Sequence, residues 1–487
     1  MSNTENLKEK AVTGAIWKMA ERIIGQVIGF LIGIVMARLL SPEDYGIVGM
    51  LTIFFALART FQDSGFGSAL IQKKNRTEDD FSTVFLFNLG SSIIIYAVLF
   101  FTAPLIASFY NTPILTDITR MSALSFIIGG LTGIQYSKLN IELKFKTISQ
   151  LSILGQIVTG IIGITLAYNG MGVWALVLQG LASSIVTGTV IWVISGWKPS
   201  LRFSRDSFNS LFKFGSNILG SHIINTIYNN LYTLVIGKAF NPSAVGLYNR
   251  ANGYAILPAG LVMDMALHVN YPILAKIQDD DERLLRAYSK LLTVPFYILY
   301  PLLVGLIVCA EPLISVMIGD KWLPCVSYLQ ILCFGYMFYP LNGFNMNLLY
   351  VKGRSDLALK MDFIKKPIGL ALLFCAIPFG IIWMMVGKAV YSFIVYFMNC
   401  YYTQKILGFG IKKQTAILMP IFLNSCLMGL AIIVTIHFVE PYWIKLLVGI
   451  PTGIVSYWLL SIILKVDSYY EIKTIIMKEI LKKNKGC

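Results

Sequence analysis

The sequence predicts an all-α polytopic membrane protein of about fourteen transmembrane helices. Three observations predict it. Of 487 residues, 56% are hydrophobic and only 13% charged, where a soluble chain carries roughly a quarter charged residues. Apolar stretches recur along the whole length, each near the roughly 20 residues a helix needs to cross a bilayer core. Finally, one short stretch occurs twice, as Arg38-Leu39-Leu40-Ser41-Pro42-Glu43-Asp44-Tyr45-Gly46 and as Lys238-Ala239-Phe240-Asn241-Pro242-Ser243-Ala244-Val245-Gly246. The copies align without a gap. A Ser-Pro or Asn-Pro step resists continuation of a helix and Gly closes the turn, so each copy reads as a tight hairpin between two membrane helices. The repeat implies two homologous halves related by pseudo-symmetry.

In chain order the spans fall at about 12–36, 46–66, 82–104, 114–136, 148–168, 172–194, 214–237, 246–270, 291–310, 325–349, 361–378, 382–403, 416–437 and 443–464. The charges between them alternate. With the N-terminus cytoplasmic, the inner segments hold 28 of the 40 Lys and Arg and the outer loops only Arg38, Lys238 and Lys321. This asymmetry predicts two cytoplasmic termini and an even number of spans. The basic segment 197–213 is the joint between a six-helix half over 1–196 and a second over 214–403. Residues 404–487 form an appended helix pair and a basic tail.

The net charge of +15 does not point to nucleic acid, because topology accounts for where the charges lie. Met1 to Lys10 is polar and mixed in charge, so no cleaved signal peptide is expected. The seven cysteines show no CxxC spacing and read as small apolar residues. Asp279 to Glu282, followed by Arg283 and Arg286, reads as a short amphipathic helix at the cytoplasmic interface. The tail, with Lys478, Lys482, Lys483 and Lys485, reads as resting on anionic headgroups. Most of the 25 Tyr, 30 Phe and 8 Trp are packing residues or interfacial anchors, with Trp17 and Trp197 on the inner side and Trp322 and Trp443 on the outer.

The stretch from Ala37 through Pro42 and Gly46 to Met50, continuing to Asp63-Ser64-Gly65-Phe66-Gly67 and on to Lys73, resembles Wzx-type polysaccharide flippases, most of all the colanic-acid-type branch. Gly172-Val173-Trp174, Phe214-Gly215, Gly246-Leu247-Tyr248, Gly319-Asp320-Lys321-Trp322 and Gly353-Arg354-Ser355-Asp356 resemble the same family. The implied superfamily is that of the multidrug, oligosaccharidyl-lipid and polysaccharide exporters, which also holds the MATE drug exporters and the lipid II flippases. The resemblance implies two six-helix bundles around a central cavity and alternating access in a bacterial inner membrane. It implies as substrate an oligosaccharide on undecaprenyl diphosphate, with polysaccharide polymerases and glycosyltransferases of the same pathway as partners. No cofactor or metal is expected.

A diphosphate alone in hydrocarbon is prohibitively costly. Fixed cations in a wet cavity offset that cost, and Arg suits phosphate by its planar fork. A cation inside a span costs about 2.5–3.5 kcal/mol on insertion scales, so few face lipid. Arg22 lies about ten residues into its span, roughly 15 Å deep; it is either a phosphate contact or half of an ion pair between helices. Lys18 shares its face, as a cavity cation or one snorkelled to the inner surface, and Glu21 beside it reads as a partner for another helix. Arg59 and Asp63 are four apart and read as a cavity pair or a self-neutralised one. His222 aligns with Arg22 in the repeat, on a span also rich in Asn, including Asn225; it is a packing histidine or a proton-sensing group. Arg250 and Asp264 share a face of one span; Arg250 reads as a substrate contact when the cavity opens outward or as a cation snorkelled to the outer headgroups, and Asp264 and His268, four apart, read as a polar pair. Lys388 is a further cavity cation, whereas Lys365 and Lys366 read as topology charges.

Three other functions compete with a flippase. A cation-coupled multidrug exporter of MATE type would want uncompensated interior carboxylates, and Glu21, Asp63 and Asp264 each have a basic residue or His nearby. A membrane enzyme would want a large outer loop or a nucleotide-binding domain. A scaffold would not need a polar interior.

Overall fold

The computed structural model describes residues 2–484, apart from 64–65, 74, 201 and 266–269. No strand occurs among the described residues. The chain divides into two compact units, Met1–Gly246 and Leu247–Cys487.

The first unit begins with α1 (Ser2–Leu39), which ends one short step before α2 (Pro42–Met50). The step is built by local chemistry. Ser41 Oγ accepts from the Asp44 amide at 3.1 Å, and Asp44 Oδ2 accepts from the Ser41 amide at 2.8 Å. Together these form a reciprocal capping box, with Pro42 in the first turn where its missing N–H costs nothing. Then come α3 (Thr52–Asp63), α4 (Phe66–Gln72), α5 (Glu78–Tyr110), α6 (Leu115–Ile141), α7 (Phe145–Tyr168), α8 (Val173–Ser195) and α9 (Arg205–Ala239). A second capping box starts α5, from Thr77 and Asp80. α1 packs on α7, α5 on α6, and α8 on both α6 and α7. A core of Phe66, Phe81, Val84, Phe85, Ile134 and Trp197 ties α4 and α5 to α6 and to the segment after α8. The second hairpin repeats the first: α9 stops at Ala239, Asn241 Oδ1 accepts from the Ala244 amide at 2.8 Å, and α10 (Pro242–Met265) begins.

Most of α10 lies in the second unit. It is followed by α11 (Tyr271–Ala275), α12 (Asp281–Val308), α13 (Ala310–Ile318), a 3-10 turn (Asp320–Cys325), α14 (Val326–Tyr336), α15 (Tyr339–Val351), α16 (Ser355–Ala376), α17 (Ile381–Leu407), α18 (Ile411–His437), α19 (Tyr442–Ile463) and α20 (Asp467–Asn484). α12 packs on α18, α18 on α19, and α14 and α16 on α17.

Eight of the described helices are long and apolar enough to cross a membrane, or nine if α2 and α3, bent by 41°, form one broken span. Among the described residues, each stretch read as a span falls mainly on one helix or on consecutive helices, with the stretch 325–349 divided between α14 and α15.

The structure corrects three readings of the sequence. Arg283 and Arg286 do not belong to a separate interfacial helix. The Asp280 side chain accepts from the Arg283 amide at 2.9 Å, and the helix it starts runs on without a break to Val308. Trp322 and Trp197 are buried, not surface anchors; Trp197 Nε1 donates to Glu78 at 2.8 Å. Lys365 is not a surface topology charge, since it is 5% exposed inside the second unit. His268, Lys485 and the side chains of Asp63, Lys478, Lys482 and Lys483 lie outside the described residues.

Candidate functional site

A polar cleft of about 1020 Å³ opens in the first unit. α1 supplies one wall. Lys18, Arg22, Gln26 and Gly29 follow helical spacing along it, so they share a face. α7 supplies Ser152, Gln156 and Thr159, and α8 supplies Ser183 and Thr187. The two glycines of the α1 wall, Gly25 and Gly29, let the other wall approach: a Cβ on Gly29 would stand 2.7 Å from Gln156 Nε2, and one on Gly25 3.3 Å from Gln156 Oε1.

The charges of the cleft are unequal. Glu21 Oε2 accepts from Lys18 Nζ at 3.0 Å and from Ser149 Oγ at 2.8 Å. Its carboxylate is thereby compensated inside the wall, and its side chain is only 17% exposed against 42% for Lys18. Arg22 is exposed and borders the cleft. The cleft therefore carries two cations and one carboxylate, a balance of +1, with Lys18 and Glu21 paired and hydroxyl and amide groups opposite. Such a surface suits an anionic group carrying many hydroxyls.

The structure brings Lys18, Glu21 and Arg22 together on one cleft. Arg59 is exposed on α3 and does not line this cleft. Its neighbour Thr60 has its Oγ1 3.1 Å from Thr226 Oγ1 of α9, and Gln62 Nε2 donates to Ser92 Oγ at 2.8 Å. His222, Asn225 and Asn229 are exposed along one face of α9.

In the second unit the predicted cations are embedded in aromatic and amide groups. The Arg250 guanidinium lies 5.2 Å from the ring centre of Trp322 and 5.9 Å from that of Tyr254, cation–π distances. Lys388 Nζ donates to Asn252 Oδ1 at 2.8 Å and to the Tyr248 hydroxyl at 2.9 Å. The Tyr336 hydroxyl donates to the same Asn252 oxygen at 2.7 Å. Asp264 is half-buried on α10.

A buried polar network in the second unit joins Lys365 to amide side chains that carry no charge to mark them in the sequence. Lys365 Nζ donates to Asn399 Oδ1 at 2.6 Å, and Asn399 Nδ2 donates to Asn342 Oδ1 at 2.8 Å. Nearby, Gln414 and Asn345 exchange hydrogen bonds of 2.7 and 3.1 Å. Gln26 and Gln156 of the cleft were passed over too, although the spacing of Ser152, Gln156 and Thr159 on one helix face carried a signal.

Comparison with known proteins agrees with this architecture. The chain is 28% identical over 369 residues to the lipopolysaccharide biosynthesis protein WzxC of Escherichia coli K12, which covers 74% of each chain. Its fold is similar to that of the lipid II flippase MurJ in an inward closed conformation, with a TM-score of 0.74 at 20% identity over 94% of this chain and 99% of that one. It is also similar to an inward-facing multidrug resistance MATE family transporter of the MOP superfamily, with a TM-score of 0.59 at 14% identity over 78% and 94%. The Wzx-type resemblance read from the hairpin motif is borne out. Residues 35–327, more than half of the sequence, match the model of one family, and the chain belongs to it: the polysaccharide biosynthesis protein family.

Proposed function

We propose that this protein is an alternating-access flippase. It moves an oligosaccharide on undecaprenyl diphosphate from the inner to the outer leaflet of a bacterial cytoplasmic membrane, for assembly of a capsule, exopolysaccharide or O-antigen. The observation that carries the reading is the cleft of the first unit, where Arg22 and Lys18 face Gln156 and Ser183 across about 1020 Å³. The family membership and the fold shared with a lipid II flippase support it.

In this mechanism the Arg22 guanidinium donates to the diphosphate, replacing the water it leaves. The cleft amides and hydroxyls bond the sugar hydroxyls, and the polyprenyl chain stays in lipid. Glu21 holds Lys18 in place and lowers the net charge of the wall, so binding is not too tight for release. Arg59, exposed on α3, is a second phosphate contact. The proposal includes fourteen spans with both termini cytoplasmic, as two six-helix halves joined at 197–213, with 404–487 appended. The chain carries out no covalent step.

The test is deletion of the gene in its host, with lipid-linked glycans analysed on each side of the membrane. A complete oligosaccharide accumulating on polyprenyl diphosphate at the inner face, with loss of one surface polymer, is the expected result. Unchanged glycans with raised sensitivity to cationic drugs would transfer the assignment to a cation-coupled exporter. Fold similarity to a MATE transporter favours that second reading; the bonded state of Glu21 weighs against it.

A further inference from the structure

The second unit carries a cleft that the flippase reading does not use. It measures about 850 Å³ and lies between the start of α12, the start of α18 and the helix α20. Arg283, Arg286 and Lys290 stand at i, i+3 and i+7 along α12, on one face, and Lys413 of α18 joins them. All four are exposed, and none makes an ion pair with a described residue. Across the cleft Asp467 and Glu471 of α20 carry the opposite sign. Four cations against two carboxylates leave a balance of +2.

Beside the cations the lining turns apolar. Ile417, Pro420 and Ile421 of α18 continue the cleft along the helix. Lys290 is the last charged residue of α12, and Leu291 to Val308 is an uninterrupted run without charge. The cations therefore stand where the helix passes from headgroup to hydrocarbon. Pro420 adds a polar feature. It has no N–H, so the Ala416 carbonyl, which also lines the cleft, lacks its usual donor four residues on.

A wholly solvated basic face would have no reason to pair four cations with an apolar trough. We propose that this cleft binds one anionic glycerophospholipid of the surrounding membrane. Its phosphodiester meets Arg286, Lys290 and Lys413, a headgroup hydroxyl donates to the Ala416 carbonyl, and one acyl chain lies along Ile417, Pro420 and Ile421. Basic pockets between membrane helices are suited to such headgroups. The carboxylates on α20 keep a second anion out. This proposal stands independently of the transported substrate.

The test uses the full-length protein in detergent, with native mass spectrometry after addition of phosphatidylglycerol or phosphatidylcholine of identical chains. One phosphatidylglycerol should be retained about tenfold more than phosphatidylcholine, on the scale expected for surface cations. R286Q/K290Q/K413Q should lose that preference, while K144Q/K146Q/K198Q, which removes the same charge from the first unit, should keep it. Three results would overturn the proposal: equal retention of the two lipids by the wild type, loss of preference in both triple variants, or displacement of the lipid by soluble glycerol phosphate or by a polyprenyl phosphate at equal concentration. The wild-type measurements decide even if a triple variant fails to fold.

Discussion

Gly46 and Gly246 lie backbone to backbone. A methyl group on Gly46 would overlap the carbonyl of Pro242, and one on Gly246 would overlap the carbonyl of Pro42. Each methyl would also stand 3.1 Å from the other glycine's amide nitrogen. The two residues close the two copies of the duplicated hairpin, so each copy supplies the groove for the other.

Backbone cannot swing aside as a side chain can. Gly46→Ala and Gly246→Ala are each expected to cost about 1–3 kcal/mol, the usual range for overpacking. Gly253→Ala, on the same helix as Gly246 with no atom within 4 Å, should be neutral or stabilise by up to about 1 kcal/mol. Thermal unfolding of the solubilised protein measures all three. A G46A protein as stable as the wild type would break the packing argument.

Arg22→Ala should sharply reduce surface-polymer export in a complementation assay, and Arg22→Ala/Arg59→Ala should abolish it, while the protein stays in the membrane at its normal level. Loss of a charge-assisted bond of about 1.5–3 kcal/mol corresponds to roughly ten- to hundredfold in binding. Arg22→Lys, with the charge but not the fork, should recover part of it. Normal export by Arg22→Ala/Arg59→Ala would remove both residues from the mechanism.

A substitution at Lys388 can test function and stability separately. Its ammonium is held by neutral oxygens of Tyr248 and Asn252, and Asn252 keeps its bond from Tyr336 when the lysine is gone. Lys388 is half-buried, and replacing a desolvated charge by an apolar side chain of similar size is often neutral or stabilising. Lys388→Met should therefore unfold at the same temperature as the wild type or higher, and export should fall. Unimpaired export would make Lys388 a packing residue.

Asn399→Ala should behave in the opposite way. It removes the acceptor of the buried Lys365 ammonium, at a cost of about 1.5–3 kcal/mol. Lys365→Met in the same background should restore most of that loss. The double-mutant comparison of melting temperatures checks it.

These residues also mark what sequence could and could not disclose. The hairpins were legible because their causes are local: a cap side chain, a proline and a glycine within a few positions. Arg22 and Lys18 were legible because a charge in an apolar span is costly enough to need a reason. Lys365 was not, since it lies close to a basic loop in sequence and its burial depends on Asn399, 34 positions away on another helix. Trp322 was misread for the same reason: its burial beneath Arg250 is a property of packing between segments. The continuous start of α12 was misread because charge suggested a boundary where the Asp280 cap began a long helix. Arg59 was legible as a cation inside an apolar span, but which cleft it borders depends on how the face of α3 turns, and depth does not specify that.

Gly25 and Gly29 have one more consequence. They stand on α1 against Gln156, and the two absent methyl groups leave room for its amide. A single added methyl at either position would push the Gln156 amide and narrow the passage without changing any charge. On the flippase reading, cargo width and cargo charge are then set by different residues of the same helix, and either can drift or be engineered while the other stays constant.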